Sequence, residues 1–380
     1  MTTYATGEGT RRYAARFGST AAAGNYREPA SCATPAEPGP VMSSIGIGTY
    51  LGAPDTATDG AYTAAIAAAV EGGINVIDSA INYRFQRSER SIGAALGELS
   101  TRGFGRDEIV ICTKGGFLTP DGQMPADAAS YFQQEYLRPG VLRAEDVAAG
   151  CHAMSPSFLA NQLDRSRANL NLDCVDIYYL HNPETQLGAV PREEFMRRLR
   201  KAFDFLESAV AAGKIRFYGL ATWSGFRQPA TAPDYLSLAE MEQLARDVAG
   251  GTHRFRFVQL PINLGMTEAL TRPNQQVNGP QGPEVSMVEA AEALGISLVA
   301  SASLMQGKMA AWLPQFVTDA LGLENHAERA LQFVRSSPAV VTALAGMSSV
   351  AHVRANLRLI GEPAATPEQF ALLFERGKKS

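Results

Sequence analysis

The sequence predicts an α/β fold, a (β/α)8 TIM barrel, from three observations. From residue 43 onward, eight short apolar runs each feed a helical stretch. Those runs are mostly apolar and several are β-branched, as parallel strands covered on both faces should be. No G-x-G-x-x-G opens a helix after any strand; G-I-G-T at 46–49 does not, which disfavours a doubly wound dinucleotide-binding sheet.

The elements follow in order. Residues 43–50, S-S-I-G-I-G-T-Y, form a short strand entering a glycine turn. A helix over 62–70 is stopped by G-G at 72–73, and 74–77 is the second strand, ending at Asp78. A helix over 89–99 leads to the third strand, 108–113, inside D-E-I-V-I-C-T-K. Ser155 and Pro156 stand as cap and first-turn residues of a helix over 157–170. The remaining strands are 175–180, 215–221, 255–260, 296–300 and 340–345. Their helices are expected at 194–212, 237–248, 284–294, 328–336 and 352–360. The first forty residues, rich in Gly, Ala, Pro and Ser, read as a tail or a short strand pair. The barrel is therefore expected over 43–362, with residues 1–42 before it and a C-terminal tail over 363–380.

Composition excludes several classes. Apolar residues make up 46%, charged residues 19%, and the net charge is -4, without a long basic or acidic block, so nucleic acid is not an expected partner. The basic run R-R-L-R-K at 197–201 has acidic neighbours and reads as a solvated helix face. Four widely spaced cysteines form neither a zinc pattern nor a disulfide scaffold, which points to buried thiols in a reducing cytoplasm. No run of 18 apolar residues and no signal peptide is present, so a membrane partner is not expected.

In such a barrel the chemistry sits at the C-terminal strand ends. Asp78 ends the second strand, Lys114 the third and His181 the fourth, in Y-Y-L-H-N at 178–182. Tyr83 follows Asp78 by five residues in D-S-A-I-N-Y. A free tyrosine, with a pKa near ~10, exchanges its proton poorly at neutral pH. A lysine beside its hydroxyl favours the phenolate, an aspartate fixes the lysine, and a histidine can donate to a carbonyl oxygen. This set suits proton transfer coupled to reduction of a C=O or to alcohol oxidation, and a cofactor must carry the hydride. The five histidines (152, 181, 253, 326 and 352) are scattered, and no metal site is expected.

With these residues in place, the chain resembles the aldo-keto reductases over about residues 12 to 362. D-S-A-I-N-Y resembles the family's aspartate–tyrosine segment, I-C-T-K-G its lysine strand, and D-I-Y-Y-L-H its histidine strand. F-L-E-S-A-V-A-A-G-K-I-R-F-Y-G-L resembles its helix and fifth strand. The resemblance implies a catalytic tetrad of Asp78, Tyr83, Lys114 and His181, and NADPH or NADH as cofactor, with family habit favouring NADPH. It implies a small carbonyl or alcohol substrate, and a barrel-bottom hairpin that R-Y-A-A-R-F-G at 12–18 and the following residues would supply. It also places cofactor contacts at Thr222, Gln259, Ser301, Ser348, Ser349, His352 and Asn356. The pattern departs at Ala221, Ser301, Gly346 and His352, where the family often carries amide-binding, ring-stacking and phosphate-gripping side chains. Two further functions stay open: a cofactor-retaining epimerase or dehydratase, and a nucleotide-binding regulatory subunit with weak turnover. Oligomeric state is not legible, because no heptad pattern occurs.

Two loops carry the individuality. Residues 117–154 form a long insertion after the third strand, either folding over the substrate or serving as a peripheral helical pair or oligomer contact. Residues 263–282, rich in Asn, Gln and Gly, read as a flap beside the cofactor. Trp223, Phe226 and Phe117 are the expected substrate-pocket residues, with Arg227 nearby.

Overall fold

The computed structural model describes residues 3–30, 32–33, 38–277, 279 and 282–375. Eight parallel strands close into a barrel. They are β1 Ile45–Gly48, β2 Val76–Asp78, β3 Val110–Gly115, β4 Val175–His181, β5 Ile215–Ala221, β6 Phe255–Pro261, β7 Ser297–Ser301 and β8 Val340–Gly346. Each pairs with its neighbour in sequence, and β8 closes the circuit by setting Ala343 opposite Ile45. The outer layer comprises α1 Thr56–Glu71, α2 Arg87–Thr101, α3 Pro156–Leu170, α4 Arg192–Ala211, α5 Leu238–Ala249, α6 Met287–Leu294, α7 His326–Arg335 and α8 Val350–Leu357. Among the described residues, no helix is long and apolar enough to cross a membrane.

Strand periodicity determines which side chains reach the mouth. Val76, Cys112, Tyr179, Phe217, Phe257 and Val299 form one inner cluster. Ile77, Ile111, Tyr178, Leu180, Leu220, Val258 and Leu298 belong to the layer between strands and helices. Counting two residues onward from the inner set gives Asp78, Lys114, His181, Gly219, Gln259 and Ser301. On β2, β3, β4, β6 and β7 inward-facing apolar residues thus give way to polar ones at the C-terminal ends, whereas β5 carries Gly219 and Ala221.

The lower end of the barrel is filled from the N-terminal segment, where Ala5, Cys32 and Met42 join the inner cluster. The Ala5 amide donates to Asp176 Oδ1 (2.7 Å) at the start of β4. Residues 12–15 are helical rather than hairpin, within Gly7–Ala15. The Thr6 hydroxyl caps that helix by accepting from Gly9 N (2.9 Å), and Arg12 and Arg16 reach the buried Glu108 carboxylate. A Cβ on Gly9 would stand 2.3 Å from the Asp107 carbonyl oxygen, so only glycine allows this approach. The antiparallel pairing that does occur is two residues on each side, Tyr26–Arg27 with Met42–Ser43.

Two other expectations are corrected. The helix expected over 284–294 begins at Met287, because Ser286 and Glu289 form a capping box and Glu284–Val285 pairs with Gln275–Gln276. Within the expected tail over 363–380, Pro367–Glu375 is a helix, and Phe370 stacks on Phe333 of α7 at 5.3 Å. Such a pair adds about 0.5–1.5 kcal/mol beyond its burial. Residues 376–380 lie outside the described residues.

The 117–154 insertion builds a small core of its own. Tyr136 packs on Phe158 of α3, with ring centroids 5.6 Å apart, and its hydroxyl donates to the Thr119 carbonyl (2.7 Å). The body of the insertion therefore sits against the helical layer, and from it only Phe117 lines the mouth.

Candidate active site

One cavity of about 800 Å³ opens at the C-terminal end of the barrel. Asp78, Tyr83 and His181 line it, and Lys114 lies directly beneath, almost wholly buried. Lys114 Nζ donates to Asp78 Oδ2 (2.5 Å) and to the Ser79 carbonyl (2.7 Å). Gln259 donates from its amide to the other Asp78 oxygen (2.8 Å), so both carboxylate oxygens are held. The lysine ammonium stands 5.0 Å from the centre of the Tyr83 ring. Tyr83 meets Tyr50 on one side (5.0 Å between centroids) and His181 on another (5.8 Å).

Local chain geometry aims these groups. Asn182, immediately after His181, takes a left-handed conformation (φ 48°), which asparagine tolerates better than most residues. Its amide donates to the Ala221 carbonyl (2.6 Å), tying the ends of β4 and β5. Three residues after Tyr83 also have positive φ, Arg84, Phe85 and Gln86, before α2 begins. This left-handed run is costly for side-chain-bearing residues and is held in place by its surroundings, as strained turns beside functional groups commonly are.

Electrostatics in the site are a contest between burial and pairing. Burial opposes the charge on Lys114, but Asp78 and Tyr83 outweigh it and hold the ammonium above its ordinary value. Burial likewise pushes the Asp78 carboxyl up, opposed by Lys114 and Gln259. For Tyr83, burial raises the phenol, Lys114 pulls it down, and the Asp78 charge partly cancels the lysine; the net direction is upward. The expectation that Lys114 lowers Tyr83 thus holds for the lysine's own effect but not for the sum. His181 is driven well below its ordinary value by burial, by Lys114 and by His152, so it is a neutral imidazole. Its Nδ1 is buried without a partner, leaving Nε2 for the cavity.

Most of the expected cofactor residues share this cavity. Thr222, Gln259, Ser301, Ser348, His352 and Asn356 all line it. Ser349 does not; its hydroxyl accepts the His352 amide (3.3 Å) and caps α8. Thr222 Oγ1 is buried without a hydrogen-bond partner at the cavity wall, and its donor and acceptor capacity fits the carboxamide of a nicotinamide. Trp223 and Phe117 line the pocket, whereas Phe226 does not. Phe226 is fully buried in the main core, because the turn at 223–226 directs it beneath the surface and Asn274 ties down its carbonyl (3.0 Å).

The flap expected at 263–282 is not at the mouth: none of its described residues lines the cavity. Asn274 and Gln275 instead anchor it to residues 226–238. The wall on that side comes from 302–310, which sequence reasoning did not single out. Ala302, Met305 and Gln306 there have positive φ, and the only legible signal was the long stretch between β7 and α7. Tyr50 and Leu51, just after β1, are also lining residues that were missed, although their position at a strand end marked them. Glu184 was missed as well. One of its oxygens accepts the amides of Trp223 (2.7 Å) and Ser224 (3.0 Å), which sets the Trp223 turn.

This geometry agrees with the comparisons to known proteins. Residues 44–242 match the family described as "Aldo/keto reductase family". A D-threo-aldose 1-dehydrogenase from a Pseudomonas species is 28% identical over 159 residues, 42% of this chain and 43% of that protein. A 6-dehydroglucose reductase from Novosphingobium aromaticivorans is 28% identical over 189 residues, 49% of each. The matched part thus spans less than half the length of these relatives. Among solved structures, the aldo-keto reductase AKR11C1 from Bacillus halodurans in its holo form superposes with a TM-score of 0.61 at 18% identity, covering 92% of this chain and 95% of that one. An aldo-keto reductase from Klebsiella pneumoniae in complex with NADPH gives 0.56 at 20% identity, over 88% and 91%. The closed barrel, the four residues at its mouth and a family match across half the sequence agree, and the chain belongs to the aldo/keto reductase family.

Proposed function

We propose that this protein is an NAD(P)(H)-dependent oxidoreductase that reduces an aldehyde or ketone to the alcohol, or runs the reverse. The observation that carries this reading is the convergence of Asp78, Tyr83, Lys114 and His181 on one cavity. A bound nicotinamide supplies or accepts the hydride. Tyr83 gives its proton to the carbonyl oxygen in reduction and takes it back in oxidation. Lys114 stabilises the phenolate that reduction leaves behind, and Asp78 holds Lys114 in place. The neutral His181 donates from Nε2 to the same substrate oxygen and orients it. Thr222 is the proposed carboxamide partner, and Asn356, His352 and Ser348 the residues at the adenosine end. The test is aldehyde-dependent loss of reduced-nicotinamide absorbance by the purified protein. No consumption with any of a broad panel of aldehydes and ketones counts against the proposal.

The same geometry sets the pH profile. Reduction needs a protonated Tyr83, and burial holds that phenol above its ordinary value near ~10. The turnover number for reduction is therefore expected to be level across the neutral range and to fall only in strong alkali. Oxidation needs the phenolate and rises with pH over the same range. Because His181 stays neutral, no acidic limb is expected near the ordinary histidine value of about 6.5. A reduction profile that breaks there would show that His181 titrates.

Cofactor choice rests on the adenosine end. Family habit and the NADPH complex of the Klebsiella pneumoniae relative favour NADPH. Among the described residues that line the cavity, none is Lys or Arg, and besides His181 the basic side chain there is the exposed His352. A single exposed charge contact is worth ~0.2–1 kcal/mol, a factor of about 5 at most. NADPH is therefore proposed as the preferred cofactor by a small margin, with NADH accepted. Fluorescence titration is expected to give dissociation constants within about tenfold of one another. A preference above roughly 100-fold would require a permanent cation, for which Arg354 on α8 is the residue to substitute.

A further inference from the structure

We propose that His152 is a positioning residue for the catalytic His181, held by a relay that begins on the outer helical layer. The inference rests on the reductase reading above and goes beyond it.

Successive residues of a strand turn their carbonyls to opposite sides. The Asn182 amide bonds to β5, so the His181 carbonyl faces β3. The paired run of β3 ends at Gly115, opposite Leu180, and the chain then leaves for the insertion. The His181 carbonyl would therefore lack a ladder donor at the point where its side chain must be aimed. His152 fills that place: its Nε2 lies 2.8 Å from the His181 carbonyl oxygen.

The insertion is closed at its neck to deliver this ring. Leu118 N donates to the Cys151 carbonyl (2.8 Å) and Ala153 N to the Gly116 carbonyl (2.8 Å), leaving His152 pointing sideways at β4. A Cβ on Gly116 would stand 2.7 Å from His152 Nε2, so the neck has room for the ring only because that residue is glycine (φ 141°). His152 is 1% exposed, and Phe117 stands edge-on to both imidazoles, 5.2 Å from His152 and 5.0 Å from His181.

The relay also selects the tautomer. Gln186 Nε2 lies 2.9 Å from His152 Nδ1 and 3.2 Å from the His152 carbonyl, so the amide donates to both. Arg198 of α4 donates to Gln186 Oε1 (2.8 Å), which prevents the amide from flipping. Nδ1 must then accept, and the proton sits on Nε2, where it bonds His181. Burial pushes the His152 pKa down to about 4, which keeps the ring in this neutral form.

The experiment uses the full chain, with benzaldehyde and NADPH as the probe reaction and nitrogen-15 NMR of the histidine rings as a readout independent of turnover. His152→Leu fills the space without a donor. It is expected to lower the turnover number roughly 10- to 100-fold, with the NADPH dissociation constant nearly unchanged, and to move the His181 ring resonances. His152→Gln can donate to the same carbonyl and accept from Gln186, and is expected to restore most of the turnover and the His181 resonances. In the unsubstituted protein, His152 should show a protonated Nε2 and a bare Nδ1. A folded His152→Leu with unaltered turnover and unmoved His181 resonances overturns the proposal, as does a His152→Gln no better than the leucine variant. If the leucine variant does not fold, Gln186→Leu carries the same expectations, since it frees the His152 ring without removing it. The unsubstituted protein is the control for the reductase reading: no reduction of benzaldehyde or any other carbonyl by it would sink that reading, while the ring resonances still decide the relay.

Discussion

Replacing Tyr83 by phenylalanine is expected to lower the turnover number by about 10²- to 10⁴-fold, the range that a positioned general acid contributes. The substitution isolates the hydroxyl. The ring remains to pack against Tyr50 and His181 and to receive the Lys114 charge on its face. Lys114 keeps its bonds to Asp78 and Ser79, so the buried ion pair does not depend on the phenol. Folding stability and NADPH affinity should therefore stay close to those of the unsubstituted protein, and the loss should fall on turnover rather than on binding. The variant is checked by steady-state reduction of benzaldehyde together with fluorescence titration of NADPH. A rate within tenfold of the original would transfer the acid role to another group, with His181 the nearest candidate.

The barrel was legible because its evidence is local and repeated. Each strand is an apolar run whose inner and outer residues alternate, and each site residue lies within a few positions of such a run. Asp78, Lys114 and His181 could be placed at the mouth by counting alone. What was not legible depends on contacts between distant residues. The helix Gly7–Ala15 contains two glycines and has little intrinsic preference for its form; Thr6, Glu108 and Asp107 hold it. The helix Pro367–Glu375 rests on a ring stack with Phe333. Trp223 and Phe226 are three residues apart on one turn, and only the Glu184 and Asn274 tethers decide which faces the cavity and which the core. The segments 263–282 and 302–310 have similar loop character, and their exchange of roles was set by packing. His152 was one of five scattered histidines until the neck of the insertion brought it to β4.

Replacing Lys114 by methionine is expected to remove turnover and to destabilise the fold by about 3–5 kcal/mol, the usual cost of leaving one member of a buried ion pair behind. Asp78 would keep Gln259 as its donor and lose the charge that offsets its burial. Its carboxyl, already pushed up by burial, would rise further in the folded variant. A folded pKa above the unfolded one means that protonation favours the folded state. Relative to the unsubstituted protein, the variant's stability should thus be best preserved at low pH and fall behind as pH rises through that folded value. Removing the second partner as well, Lys114→Met with Asp78→Leu, leaves no buried charge, and pairs replaced by apolar groups are often neutral in stability or better. Urea unfolding of the two variants is therefore expected to separate stability from catalysis: the double variant recovers most of the lost stability, and neither recovers turnover. Equal destabilisation of the single and double variants would show that lost packing, rather than an uncompensated Asp78 charge, causes the effect. Recovery of both stability and turnover in the double variant would remove the pair from the mechanism altogether.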